Sequence, residues 1–134
     1  MISIPRQVYD EVIAHCRREA PKEACGFLIA NAAGAIEKIR PMTNVENSPI
    51  GYAMDPKEQL LVEKEMRQQH QRPAAIYHSH TASAAAPSPV DIRLAISPEI
   101  SYVIVSLQDR ATPDLRSYKI DGEQPPQEEQ VIRV

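Results

Sequence analysis

Ile76-Tyr77-His78-Ser79-His80, then the seven residues Thr81 to Pro87, then Ser88-Pro89-Val90-Asp91: the reading of this chain turns on this stretch. Two histidines separated by one residue point the same way only on extended backbone, because side chains on a strand alternate faces with a period of two. Ala74-Ala75-Ile76-Tyr77 is a short apolar run bounded upstream by Pro73, which predicts a buried strand whose end carries His78 and His80 into a loop. Ser88-Pro89-Val90-Asp91 predicts a helix start, with Ser88 as N-cap, Pro89 at the first helical position and Asp91 in the first turn. Two imidazoles and a carboxylate gathered at a strand end and a helix start offer three protein ligands to Zn²⁺ and leave a fourth position for water. That is the layout of a catalytic zinc site, since structural zinc usually closes its shell with Cys and His.

Each part has a plainer reading. A His pair in a strand is more often packing or surface decoration, Ser88 alone is a helix cap, and Asp91 alone is a first-turn charge that suits the helix dipole. The combination outweighs them. With each residue type at a few per cent, His, His, Ser and Asp at four fixed offsets arise by chance on the order of once in a million starting positions.

On these residues the chain resembles the JAMM (MPN+) metalloprotease family, whose motif is a distant Glu followed by His-Ser/Thr-His, seven residues, Ser, two residues and Asp. The spacing matches in full. The family's Glu precedes a Cys-Gly-apolar strand, and Pro21-Lys22-Glu23-Ala24-Cys25-Gly26-Phe27-Leu28 puts Glu23 in that place. Asn47-Ser48-Pro49 and Tyr52-Ala53-Met54-Asp55-Pro56 also look like the short bacterial members. Thr81 departs from the pattern, since many relatives carry Pro after the second His. Because it binds no metal, the expectation is altered loop stiffness with little loss of chemistry.

The resemblance implies an α/β protein of MPN (cytidine deaminase-like) fold, a curved mixed sheet flanked by helices. It implies one Zn²⁺ with a bound water on His78, His80 and Asp91, Glu23 as general base and then acid, and Ser88 stabilising the oxyanion. It implies hydrolysis of the amide or isopeptide bond after the C-terminal Gly-Gly of a ubiquitin-like or sulfur-carrier protein, for example release of cysteine from a carrier. Two other classes compete. A non-catalytic MPN scaffold that binds a partner characteristically loses metal ligands, and here all are present. A zinc deaminase uses His/Cys/Cys or three Cys with a Pro-Cys-x-x-Cys signature, which this chain lacks.

Composition agrees with a small enzyme. At 134 residues, 43% hydrophobic and 25% charged, the chain predicts one domain over 1–134 with a single core. A net charge of −3 with Lys and Arg scattered among acids gives no footprint for nucleic acid. Met1-Ile2-Ser3-Ile4-Pro5-Arg6 has no signal-peptide character and no later run is long enough to cross a bilayer, so the expected location is the cytoplasm. Cys16 and Cys25 are then expected as reduced core thiols, Cys25 beneath the site.

Outside the motif, Ile2 to Ile4 reads as a strand and Pro5 as the start of a helix with Val8, Tyr9, Val12, Ile13 and Cys16 at helical spacing. Glu23 to Asn31 and Ala35 to Arg40 read as a hairpin through Ala32-Ala33-Gly34, and Pro41 to Ile50 as a polar loop. Asp55-Pro56-Lys57-Glu58 reads as a capping box opening an amphipathic helix to about His70. Ser101 to Leu107 reads as a buried strand, Leu115 to Ile120 as an edge strand, and Glu128 to Val134 as a terminal strand or tail. His15 and His70 have no partner at ligand spacing and read as a helix-surface and a helix-end residue. Glu58, Glu63 and Glu65 read as a solvated face.

Overall fold

Side chains on β4 (Arg72–His80) alternate between two packed faces, and the rest of the architecture follows from filling both. A computed structural model describes residues 1–134 apart from Asn47, Ile50 and Ile96. Asn47 of the Asn47-Ser48-Pro49 match, and the end of the loop expected to run to Ile50, lie outside the described residues.

In chain order the elements are β1 (Ile2–Ile4), α1 (Arg6–Glu19), β2 (Cys25–Ala30), β3 (Ile36–Met42), α2 (Pro56–Gln68), β4, α3 (Pro89–Leu94), β5 (Ser101–Ser106), β6 (Asp114–Lys119), β7 (Gln127–Glu129) and β8 (Val131–Arg133). Six strands form a mixed sheet in the order β3-β2-β4-β5-β6-β7, and β1 pairs with β8 in a separate parallel ribbon. Within the large sheet only β4 and β5 run parallel, and α3 lies on the crossover between them. β4 and β5 sit at the centre, and β5 is buried at every residue.

One face of the sheet meets α1. Val8, Val12 and Cys16 pack there on Leu28, Ala75, Tyr77, Val103, Val105 and Leu115, with Ile2 and Ile4 closing the end. The opposite face meets α2 through Phe27, Ile29, Val62 and Met66, and beside it Ile104, Tyr118 and Ile120 pack near α3. Gly26 is required where the back face is tightest. A Cβ there would lie 2.5 Å from the Tyr77 ring and hydroxyl and 2.6 Å from the Arg40 carbonyl oxygen. Pro73 stands in a central strand, where a missing N–H is normally excluded. The ladder accommodates it with a register shift between Leu28 and Ile29, opposite Pro73.

The structure corrects several sequence expectations. His78 and His80 are inside β4, not beyond its end, and their common orientation is held by ladder pairing, of His78 with Cys25 and Ile104 and of His80 with Ser106. β3 runs on through Pro41 to Met42. Asp55 caps α2 by accepting from the Lys57 N–H, but Glu58 does not complete a capping box; its carboxylate accepts from the backbone N–H and hydroxyl of Thr43. Leu60 and Leu61 are exposed, and the buried stripe of α2 is Val62 and Met66. His70 follows the C-cap Gln69 with φ 56°, so the helix-end residue sits in the left-handed turn just past α2. His15 is buried, because its ring finds a hydrogen-bonding partner in Tyr77 across the α1–sheet interface. β6 is not an edge, since β7 pairs outside it, and the terminal segment splits at Gln130 so that β8 can join β1. Cys16 and Cys25 are both free and buried, as expected. Among the described residues no helix is long and apolar enough to cross a membrane.

Candidate metal centre

The strand period carries His78 and His80 to the α2/α3 face, and the capped start of α3 swings Asp91 over them. Ser88 accepts from the Asp91 N–H at 3.1 Å while the Asp91 carboxylate accepts from the Ser88 N–H at 2.9 Å, a reciprocal capping box that fixes the carboxylate. Its Oδ1 lies 3.2 Å from His78 Nε2 and its Oδ2 3.0 Å from His80 Nε2, and the two Nε2 atoms are 3.2 Å apart. One ligand atom from each of the three residues falls within 4.8 Å of the others.

Second contacts set the ring orientations. His80 Nδ1 is 2.8 Å from the Ala84 carbonyl oxygen, so the proton belongs on Nδ1 and the Nε2 lone pair faces the cluster. The Tyr52 ring stacks on His78 with centroids 4.6 Å apart and planes 25° from parallel. His78 Nδ1 is buried with no hydrogen-bond partner among the described residues. A buried ring nitrogen left this way costs about 1–3 kcal/mol unless the other end of the ring makes a strong contact. Burial pushes the His78 pKa down, against the Asp91 hydrogen bond. Burial acts the same way on His80, but Asp91 and the Ala84 carbonyl reverse it and the net shift is upward. Burial alone would raise Asp91, yet without a cation the protonated forms of the two histidines would donate to it and hold it far below the usual carboxylate range. Lone pairs of two imidazoles and a carboxylate converging in a buried corner fit a divalent cation of borderline hardness, and the N₂O donor set suits Zn²⁺.

Glu23 reaches this corner through long-range pairing. β2 runs antiparallel to β4 with Cys25 opposite His78, so the residue two before Cys25 arrives level with His80. The Ser79 N–H donates to the Ala24 carbonyl at 3.1 Å and the Ala24 N–H donates to Ser79 Oγ at 2.8 Å, which pins the approach. Glu23 is buried and shares a cleft with His80, Asp91, Ser88 and Tyr52. Burial pushes its carboxyl up to about 7, with His80 opposing and Asp91 adding to the shift. The structure thus brings together all five residues singled out from sequence. Cys25 sits beside His78 on the same face of the sheet.

Sequence reasoning missed three contributors. Tyr52 carries no local signal for stacking on His78, Ser79 none for holding the Ala24 N–H, and Asn44 lies in a stretch whose composition reads only as polar loop. Thr81 binds no ligand atom, and its hydroxyl donates to the Pro49 carbonyl oxygen at 3.3 Å, tying two walls of the cleft in a way that Pro could not.

The family model described as prokaryotic homologs of the JAB domain matches residues 5–121. This chain belongs to that family. It is 43% identical over 124 residues to the CysO-cysteine peptidase of Mycobacterium tuberculosis, covering 91% of this chain and 85% of that protein. It is 38% identical over 94 residues to the probable TtuB-protein conjugate cleaving protease of Thermus thermophilus, covering 69% and 62%. Among solved structures, a Desulfitobacterium hafniense protein superposes with TM-score 0.89 at 36% identity, covering 100% of this chain and 93% of that one. A JAB1/MPN domain protein of Archaeoglobus fulgidus superposes with TM-score 0.63 at 15% identity over 99% and 97% of the two chains, a likeness of fold alone. The α/β architecture with its six-stranded mixed sheet is the JAB1/MPN fold.

Proposed function

We propose that this protein is a zinc-dependent peptidase that hydrolyses the amide bond after the C-terminal Gly-Gly of a sulfur-carrier or ubiquitin-like protein, with release of cysteine from a carrier as the favoured case. The observation that carries the reading is the convergence of His78, His80 and Asp91 in a buried corner with the Glu23 carboxyl in the same cleft. The 43% identity to a protein named CysO-cysteine peptidase supports the choice of substrate.

His78, His80 and Asp91 would hold the ion, which when bound supplies a Lewis acid that acidifies water and polarises a carbonyl. Glu23 takes a proton from the attacking water as its oxygen adds to the glycine carbonyl carbon. The C–N bond then breaks and Glu23 returns that proton to the leaving nitrogen, and transfer of the remaining water proton from the new carboxyl gives a carboxylate and an ammonium. Burial disfavours the charged form of the Glu23 carboxyl, which helps it to hold the proton between the two transfers. Ser88 spends a lone pair on the Asp91 N–H and keeps its hydroxyl proton to donate to the substrate oxygen as negative charge develops. Tyr52 and Leu94 line the cleft and limit water around the reacting bond.

The test is hydrolysis of a sulfur-carrier protein extended beyond Gly-Gly, with zinc content measured in parallel, for the wild-type, chelator-treated and Glu23→Gln proteins. Cleavage after Gly-Gly that needs both zinc and Glu23 upholds the reading. Stoichiometric zinc without cleavage of carrier or ubiquitin-like substrates would favour a partner-binding scaffold, and failure to bind zinc would sink the mechanism.

A further inference from the structure

Asn44 is buried in the segment between β3 and α2, on the far side of Glu23 from the β4 ladder. Its amide nitrogen donates to the Glu23 carbonyl at 2.8 Å and to the Gly51 carbonyl at 3.2 Å. Its amide oxygen accepts from the N–H groups of Glu46 and Ala53, both at 3.0 Å. Two carbonyls face one end of the side chain and two N–H groups the other, so a side-chain amide in this one orientation satisfies all four. A carboxylate of the same shape would keep the two N–H partners and set an acceptor against the two carbonyls.

The placement of those four groups matters. Gly51 and Ala53 flank Tyr52, whose ring stacks on His78. The Glu23 peptide is held on this side by Asn44 and by its own N–H donating to Ser48 at 3.1 Å. On the other side the Ala24 N–H is held by Ser79. The short antiparallel bridge from Asn44 to Met54, with Val45 N–H donating to Ala53 at 2.8 Å, ties the two ends of the segment together next to the Asn44 amide. Asn44 does not itself line the cleft, and it touches the chemistry only through Glu23 and Gly51, which do.

We propose that Asn44 is a positioning residue that locks the Glu23 backbone to the Tyr52 segment, and so sets the Glu23 carboxyl and the His78 ring in one frame. The inference rests on the base role proposed for Glu23. It predicts a defect in turnover that disappears when Glu23 is already gone.

The experiment measures kcat and KM on the extended carrier for Asn44→Asp and Asn44→Ala, each alone and combined with Glu23→Gln, together with zinc content and backbone amide exchange. Asn44→Asp is expected to lower kcat about a hundredfold, the scale of a misplacement of about 1 Å. KM should stay within about threefold, zinc content should be unchanged, and in the Glu23→Gln background the further loss should be no more than about twofold. The Glu23 amide should exchange at least about tenfold faster while amides of Ser101 to Ser106 stay unchanged. Losses that multiply in the double variant, or a Glu23 amide as protected as in wild type, would overturn the proposal. If Asn44→Asp does not fold, Asn44→Ala carries the same comparison without the added charge. If the wild type cleaves no carrier, or Glu23→Gln is harmless, the reading of the function fails by itself and the Glu23 amide alone decides whether Asn44 holds that segment.

Discussion

Tyr77 and His78 are neighbours on β4, and their side chains enter opposite faces of the sheet into two buried polar clusters of different character. On the α1 face, the Tyr77 hydroxyl lies 2.7 Å from His15 Nδ1, His15 Nε2 lies 3.6 Å from the Glu19 carboxylate, and the two rings meet edge to face at 86°. Here both ring nitrogens have a polar group to face, and the hydroxyl has its partner. On the other face two imidazole nitrogens and a carboxylate point at each other, and His78 Nδ1 has no hydrogen-bond partner among the described residues. The first cluster is closed and serves to join a helix to a sheet. The second gathers lone pairs at one point, an arrangement that a cation satisfies and that a purely structural core would avoid.

Substitutions on the two faces should therefore separate activity from stability. The largest expected effect is that of His78→Ala. Losing a ligand should reduce zinc from stoichiometric to trace and lower carrier hydrolysis on the order of a thousandfold or more, with the circular dichroism spectrum retained. Glu23→Gln comes next, with kcat about 10²- to 10⁴-fold lower and zinc content unchanged, read by steady-state kinetics beside metal analysis. If Glu23→Gln also lost its zinc, the division between ligands and base would be wrong.

On the closed face, Tyr77→Phe removes the hydroxyl and leaves His15 Nδ1 buried and unpaired. It should cost about 1–3 kcal/mol of unfolding free energy in denaturant titrations, and leave kcat of the folded enzyme within about twofold. A large kcat defect would mean that the two faces are coupled through β4. The smallest effect concerns pH. Burial holds the His15 pKa below 6.5, against the pull of Glu19. The unfolded chain therefore takes up this proton first as pH falls, and stability that is intact above 6.5 declines below it, towards the lower folded value. The thermal midpoint should drop by a few degrees between pH 6.5 and 5.5, and His15→Gln should flatten that part of the slope. Equal slopes in both proteins would place the loss in the other cluster.

The parts of the site legible in the sequence are those that neighbouring residues decide. Alternation along a strand puts His78 and His80 on one face whatever the strand pairs with, and Ser88-Pro89-Val90-Asp91 makes a helix start from its own hydrogen bonds. Glu23 was legible only through its match to the family motif, because its route to the site is the register of β2 against β4, which sets Cys25 opposite the distant His78. The same limit misplaced His15. Helical spacing puts it near the Val8, Val12 and Cys16 stripe, but a histidine there reads as surface until Tyr77 is known to stand opposite. Glu58 shows a local rule being overridden, since its pattern fits a capping box while Thr43, brought up by β3, offers the carboxylate a backbone N–H and a hydroxyl.

The sequence by itself determined the donor set, its common orientation and the capped helix that delivers Asp91, because each depends on backbone geometry within one strand or one helical turn. Only the tertiary structure decided that Glu23 shares a cleft with His80 and Asp91, that Tyr52 stacks on His78, and that Asn44 holds the Glu23 and Gly51 backbones together. Those contacts join residues far apart in the chain, and their positions come from sheet register and the filling of both faces of β4, which short-range propensities do not specify.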